Sequence, residues 1–380
     1  MRKELHLLPS RSSKMFSCKG RRCKSKQLKG VSEDTKFQAI RNWLVAGIGE
    51  CDLEEKAKIF GKMISRIELT RLSPQCQSEY WAFVWGCSDQ FIGGKHSECL
   101  DGLKDLQPDE SFNVKLPSGG IPTALDGRVC IVMCNDSKSS VMSVNYRDGS
   151  ISYKSFTTKS RDLYAVASRN ESIFTLGFCS YNGQYLSTYE KLDITSGKLT
   201  QLPDTLSARY FASALNIPEI GIVVVGGSCE DNRQWTRSRS AEVLVEDPRN
   251  ESGWRWIRLN PMLKARTCPG VAYFRGCVVV AGGRPESSAE YLPLTSIEQT
   301  NAQWTLLRGF DEYDYSRTFL VSFNNRLILL VSHSNRSCAY EFLPTEENQS
   351  LANFEWKPMF QLDDFCDAKL LVAREKLEEH

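Results

Sequence analysis

Histidine is scarce in this chain, with four among 380 residues, at positions 6, 96, 333 and 380. His333 is the one histidine between residues 97 and 379, so that long stretch lacks the several imidazole ligands a copper centre takes. Charge of one sign is not in excess either: 48 Lys and Arg stand against 46 Asp and Glu, a formal balance of +2. Long apolar runs are missing, so no membrane-spanning helix is expected. The first residues also lack the apolar stretch of roughly 7–15 residues that marks a secretory signal. There is no phosphate-cradling Gly-x-x-x-x-Gly-Lys motif and no Gly-x-Ser-x-Gly nucleophile elbow. Nothing in the pattern marks an active site, and the expectation is a protein without catalytic residues, metal or cofactor.

Cysteine is plentiful, at 14, but its placement does not suggest a disulfide framework. Cys76, Cys87, Cys99, Cys130 and Cys277 sit inside expected helices or strands, where a free thiol behaves as a small apolar group. Without a secretory signal the thiols are read as reduced, in the cytoplasm. Cys18 and Cys23, like Cys130 and Cys134, lack a second pair or a histidine at zinc-ligand spacing. The five Asn-x-Ser triplets, at Asn135, Asn170, Asn250, Asn335 and Asn348, are then chance matches. The charge balance hides an uneven distribution. Residues 1–36 hold 11 Lys and Arg against 3 Asp and Glu, or +8, which leaves −6 for the rest. Residues 1–30 are read as a basic, solvated tail. Within it, Lys19-Gly-Arg-Arg-Cys-Lys-Ser-Lys26 offers a nuclear-import or phosphate-binding run. No aromatics interleave with that run, which disfavours a stacking nucleic-acid site.

What the chain does have is a repeat. A large apolar residue followed three positions later by another recurs as Tyr153/Phe156, Leu199/Leu202, Trp256/Leu259, Trp304/Leu307 and Trp356/Met359. The first members are 46, 57, 48 and 52 residues apart, close to the period of a four-stranded propeller blade, about 50 residues. Upstream of the markers stand unbroken apolar runs suited to strands buried on both faces: Gly221–Val225 before Gly226-Gly227, Cys277–Ala281 before Gly282-Gly283, Leu327–Val331 before Ser332, Ser172–Leu176 before Gly177, and Arg128–Met133. A glycine pair permits positive φ and close approach of a neighbouring blade. A third strand opens alike in two repeats, as Ser240-Ala-Glu-Val243 and Ser288-Ala-Glu-Tyr291. Arg161, Arg209, Arg266 and Arg317 follow the last strands at intervals of 48, 57 and 51. Three markers with one period point to a ring of blades, which presents its loops as a binding platform.

These residues resemble the Kelch repeat, whose pattern is a basic start, an apolar strand ending in Gly-Gly, Glu-x-Tyr, and a Trp before the next blade. The likeness is strongest over residues 209–304. WD repeats have a shorter period, about 40–45 residues, and a Gly-His…Trp-Asp signature that is absent here. Upstream, Phe37, Ile40, Trp43 and Leu44 share one helical face, as do Ile59, Phe60, Met63, Ile64 and Ile67. Ser73-Pro74 reads as a helix start, with Cys76, Tyr80, Phe83, Val84 and Cys87 along one face of that helix. Residues 31–106 resemble the later part of the helical BACK domain that precedes Kelch propellers. Such chains carry a BTB domain further upstream, and the thirty residues before the match are too short to form one. The expected architecture is therefore α plus all-β. A basic tail over 1–30 leads into a partial BACK-like helical domain over 31–106. A Kelch-type β-propeller follows over 110–380, with five blades and a partial sixth. Phe112–Leu116 and Asp367–Ala373 are expected to share that sixth blade, as first and last segments do in Kelch rings.

Two segments stand out as partner contacts. Between Gly227 and Glu242 the spacing is 15 residues, against 7 between Gly283 and Glu290. The extra length carries Arg233, Trp235, Arg237 and Arg239, residue types that dominate binding hot spots. The second segment, Arg308–Arg317, carries Tyr313, Tyr315 and Arg317. A structural role for Arg209, Arg266 and Arg317, pairing with carboxylates such as Glu242 and Glu290, is the plainer reading of those three. Trp256, Trp304 and Trp356 are expected as core wedges. The resemblance implies non-catalytic protein recognition, as the substrate-binding part of a cullin-type ubiquitin ligase adaptor. The contacts to the cullin scaffold belong mainly to the BTB domain. The alternative is a stand-alone Kelch protein binding actin or another cytoskeletal partner, and a propeller enzyme is the third option.

Overall fold

The computed structural model describes Lys36, residues 80–85 and 91–96, and residues 120–374 apart from 126–127, 136–137, 146–149, 161, 182–183, 232–233, 297–300, 311–316, 324–325, 334–335, 346–350 and 364–368. The chain divides into two compact units, Met1–Ser78 and Glu79–His380. In the first, Lys36 is helical, and the rest of the expected helical stretch to Ser78 lies outside the described residues. The second unit is a β-propeller.

Its strands follow in chain order. β1 (Tyr80–Trp85) and β2 (Phe91–His96) come first. Blade one is β3 (Ile121–Leu125), β4 (Arg128–Asn135), β5 (Lys138–Asn145) and β6 (Ile151–Thr157). Blade two is β7 (Asp162–Arg169), β8 (Ser172–Tyr181), β9 (Gln184–Asp193) and β10 (Leu199–Gln201). Blade three is β11 (Ser213–Ile217), β12 (Gly221–Val225), β15 (Ala241–Glu246) and β16 (Trp254–Arg258), with a two-stranded ribbon inserted between its second and third strands, β13 (Ser228–Asp231) and β14 (Gln234–Arg237). Blade four is β17 (Gly270–Phe274), β18 (Cys277–Ala281), β19 (Ala289–Pro293) and β20 (Thr305–Leu307). Blade five is β21 (Arg317–Phe323), β22 (Arg326–Ser332), β23 (Arg336–Pro344) and β24 (Phe354–Asp363). β25 (Lys369–Arg374) joins β1 and β2 in a three-stranded sheet. Every pairing is antiparallel, with first strands innermost. The six inner strands β3, β7, β11, β17, β21 and β25 pack side by side in a closed ring.

The expected second strands are the most buried of all. β12 and β18 are buried at every position, as a strand sandwiched between two neighbouring blades must be. The large markers lie in the fourth strands, or one residue before the strand in the case of Trp304. Trp256, Trp304 and Trp356 are buried at 9%, 5% and 9% exposure, in clusters that join one blade to the next. Each indole N–H donates to a carbonyl just beyond the fourth strand of the preceding blade: Trp256 to Pro203 at 2.8 Å, Trp304 to Asn260 at 2.7 Å and Trp356 to Arg308 at 3.1 Å. A buried indole needs such a partner, and the repeat supplies it at one place in successive blades. Tyr153, the marker of blade one, departs from this. It is 66% exposed on β6, whose residues are nearly all exposed.

Both glycine pairs have positive φ, 68° and 104° at Gly226 and Gly227, 64° and 85° at Gly282 and Gly283. A Cβ on Gly226 would lie 2.6 Å from the Arg266 carbonyl oxygen, and one on Gly282 2.6 Å from Thr318 Cγ2. The pairs therefore leave room for the linker or inner strand of the following blade.

The start of the β-architecture is where the structure departs most from the sequence reading. Tyr80, Phe83 and Val84 are not on a helical face. Tyr80–Trp85 is a strand, paired with Phe91–His96 on one side and Lys369–Arg374 on the other. The run Tyr-Trp-Ala-Phe-Val-Trp is rich in β-formers, and a short apolar run does not by itself reveal its period. The sheet therefore begins well before residue 110. The C-terminal strand does share a sheet with an early segment, but that segment is Tyr80–Trp85. Phe112–Pro117 lies outside the described residues.

Candidate functional site

In each blade the first strand starts, the second ends, the third starts and the fourth ends at the same end of the sheet. One face of the ring therefore gathers the linkers between blades and the loops between second and third strands. The inserted β13–β14 ribbon stands on that face.

The ribbon is anchored from both sides. Tyr210 and Ser228 exchange backbone hydrogen bonds at 2.8 and 2.7 Å, and the Gly227 amide donates to the Arg266 carbonyl at 2.8 Å. Trp235 is 51% exposed and sets its ring edge-to-face on Tyr210, centroids 4.9 Å apart. Tyr210 is itself buried and packs on Phe178 at 5.2 Å and Tyr164 at 6.5 Å. The indole is thus held on a rigid aromatic base while half of it faces solvent. Arg237 and Arg239 are exposed beside it. Arg233, Tyr313 and Tyr315 lie outside the described residues.

Leu206, Phe211 and Leu263, all in linkers, are exposed by 46–49% on the same face. Phe211 and Cys268 occupy equivalent linker positions and both have left-handed backbones, φ 57° and 51°. The Cys268 amide donates to the Phe211 carbonyl at 2.8 Å. A bulky residue in this region costs on the order of 1–3 kcal/mol, and here it presents Phe211 at the rim. No sequence signal marks either residue.

The four blade-start arginines do not behave alike. Arg209 and Arg266 are fully buried and pair with Glu242 at 3.4 Å and Glu290 at 2.9 Å. Both carboxylates also accept from linker amides: Glu242 from Leu206 at 3.2 Å, and Glu290 from Leu263 and Lys264 at 2.7 and 3.3 Å. Glu190 does the same in blade two, accepting from the Lys159 amide at 3.1 Å and from the Thr158 hydroxyl. The three glutamates face equivalent second-strand residues, Thr175, Val224 and Val280. The sequence reading passed over Glu190, although its spacing of 52 from Glu242 matches the repeat.

Arg317 is out of register with that set. Ser213 faces Val225 and Gly270 faces Ala281, so Arg209 and Arg266 each precede that ladder position by four residues. Thr318 faces Val331, so Arg317 precedes it by one. The glutamate position of blade five holds Ala339, opposite Leu330. Arg317 is exposed at the mouth of the central channel, makes no ion pair among the described residues, and its positive charge pulls down the Cys268 thiol pKa that burial pushes up. Arg161 lies outside the described residues.

The channel encloses about 720 Å³ and is lined by all six inner strands. Besides Arg317, its charged lining residues are Asp162 and Lys369. Lys369 is buried and donates to the Gly120 carbonyl at 2.7 Å. Among the described residues no three His, Cys, Asp or Glu side chains come together as a metal-binding group. No helix among them is long and apolar enough to cross a membrane.

No protein-family profile and no curated protein matches this chain. A solved structure titled "Structure of YjhT" is similar at 11% identity, over 63% of this chain and 78% of that one, with a TM-score of 0.45.

Proposed function

We propose that the propeller is a non-catalytic protein-recognition module of the Kelch type, and that it grips an acidic, partly apolar segment of a partner protein on its linker face. One observation carries this. Trp235, Phe211, Leu206 and Leu263 are each about half exposed on the same face as the exposed Arg237, Arg239 and Arg317. Exposed aromatics among arginines are the composition of binding hot spots, and several cations with apolar neighbours favour a carboxylate-bearing chain with apolar side chains. The blades themselves are held by buried pairs and Trp wedges, so this face can vary without loosening the ring.

In this reading the partner is a substrate that the propeller presents to a cullin-type ubiquitin ligase, as the resemblance to BACK–Kelch chains suggests. A cytoskeletal protein such as actin is the second reading. The site is tested by affinity capture from cytosol with the wild-type chain and with Arg233→Ala/Trp235→Ala/Arg237→Ala. Loss of specific partners from the variant is expected. An identical partner set would show that recognition lies elsewhere. Ubiquitin ligase subunits captured by both forms while another protein is lost would favour the first reading, and actin among the lost proteins the second.

A further inference from the structure

The β13–β14 ribbon also carries hydroxyl side chains spaced from its arginines in a particular way. In sequence, Arg233 stands three residues before Thr236, and Arg237 three before Ser240. Arginine at this offset is a charge pattern by which basophilic kinases select serine and threonine. The hydroxyls of the segment differ sharply in accessibility. Ser238 is buried at 8% exposure. Ser240 is half-buried and fixed: its amide bonds the Ser238 hydroxyl at 3.0 Å, its carbonyl accepts from Gly226 at 2.9 Å, and the next residue enters β15. Thr236 is exposed in mid-strand, and its hydroxyl makes only a 3.4 Å bond to the Cys229 carbonyl. β14 pairs with β13 alone among the described strands. Its other edge thus offers an extended backbone of the kind a kinase cleft can engage.

We infer that Thr236 is a phosphorylation site for an arginine-directed serine/threonine kinase, and that the phosphate switches off the recognition face. In the transfer, the Thr236 oxygen attacks the γ-phosphorus of ATP. The bond to the β-phosphate oxygen breaks, ADP leaves, and the hydroxyl proton passes to the kinase base. The charge arithmetic favours a switch. Residues 228–240 hold three Arg against Glu230 and Asp231, a balance of +1. A phosphate adds about −1.5 to −2, which turns the ribbon from net positive to net negative. An acidic partner is then repelled at the point where Trp235 and Arg237 receive it. The switching half of this inference rests on the recognition reading above; the modification half does not.

The test treats the full chain with the catalytic subunit of an arginine-directed kinase and MgATP, then maps phosphate by mass spectrometry. Modification at Thr236 is expected, kept in Thr236→Ser, absent in Thr236→Ala, and slowed about tenfold or more in Arg233→Ala, as loss of a charged recognition contact implies. Phosphate elsewhere with Thr236 unmodified, or an unchanged rate in Arg233→Ala, overturns the site. Polyglutamate is then titrated against both forms at low salt. Binding weaker by roughly fivefold or more in the phosphorylated form is expected. Equal binding overturns the switch. If neither form binds polyglutamate, the acidic-partner reading falls with the switch, while the mapped phosphate still decides the site.

Discussion

Arg266 and Glu290 meet 2.9 Å apart with neither side chain exposed to water. The guanidinium also donates to the carbonyls of Gly282 and Ser288 at 2.7 and 2.8 Å and to the Ser288 hydroxyl at 2.9 Å. The carboxylate takes two linker amides besides. A buried pair with this many bonds joins β19 to the linker that leads in from blade three. Removing one member strands the other charge in a dry interior. Arg266→Ala and Glu290→Ala are each expected to cost about 3–5 kcal/mol, read from denaturant unfolding. A loss under about 1 kcal/mol would mean that water reaches the survivor.

Arg209 and Glu242 hold the same place one blade earlier, with a looser fit. Their contact is 3.4 Å, and the buried Arg209 Nε has no hydrogen-bond partner. An unmet buried donor costs about 1–3 kcal/mol. Arg209→Met, which removes that donor and keeps much of the volume, should therefore destabilise less than Arg266→Met, by about 1–2 kcal/mol. Equal losses from the two variants would show that the unmet Nε carries no cost.

Much of the ring is legible in the sequence, and for a physical reason. β12 and β18 are buried on both faces, so every residue is apolar and the run stands out. Trp256, Trp304 and Trp356 must each fill one inter-blade gap, so their spacing reports the blade period. What is not legible depends on register or backbone conformation. Arg317 falls in step with Arg209 and Arg266 by count, but the ladder shifts it by three residues and Ala339 replaces its carboxylate. Tyr80–Trp85 has a helical reading until β25 is seen beside it. Phe211 and Cys268 owe their importance to positive φ, which their side chains do not announce. The ribbon was legible as an extra-long loop rich in Arg and Trp, but the support of Trp235 by Tyr210 was not.

Two tryptophans should separate structure from recognition. Trp304→Ala empties a buried wedge and loses the bond to the Asn260 carbonyl, and is expected to cost about 3–5 kcal/mol. Trp235→Ala removes a half-exposed ring and should stay within about 1 kcal/mol of wild type, while weakening polyglutamate-linked or natural partners by roughly tenfold or more, as hot-spot truncation does. Unfolding curves and a binding titration on the same two preparations check both halves. A large stability loss in Trp235→Ala would make it a structural residue.

Cys268 offers a probe of Arg317. Burial pushes the thiol pKa up, and the positive charges of Arg317 and Arg284 hold it partly down. The thiolate is the nucleophile, so alkylation of Cys268 should follow a pH profile displaced to the alkaline side of a free cysteine. Arg317→Gln takes away one of the lowering charges and should move the profile further to high pH. Peptide mapping after timed iodoacetamide treatment follows this thiol alone. A profile unmoved by Arg317→Gln would place the guanidinium too far away to act.

Phe211 links backbone strain to the proposed site. Its φ of 57° suits glycine, and its ring is 47% exposed. Glycine relieves the left-handed strain but frees the unfolded chain, and it removes little buried apolar surface. On balance Phe211→Gly should leave stability unchanged or raise it by up to about 1 kcal/mol. Phe211→Ala keeps the strain, removes the same ring, and should be the less stable of the two. Both should lose affinity for the partner, since both remove the aromatic at the rim. That pattern, stability gained and binding lost in one variant, is what a residue kept for recognition produces. If Phe211→Gly binds as wild type does, the channel rim is not where the partner rests, and the ribbon alone must account for recognition.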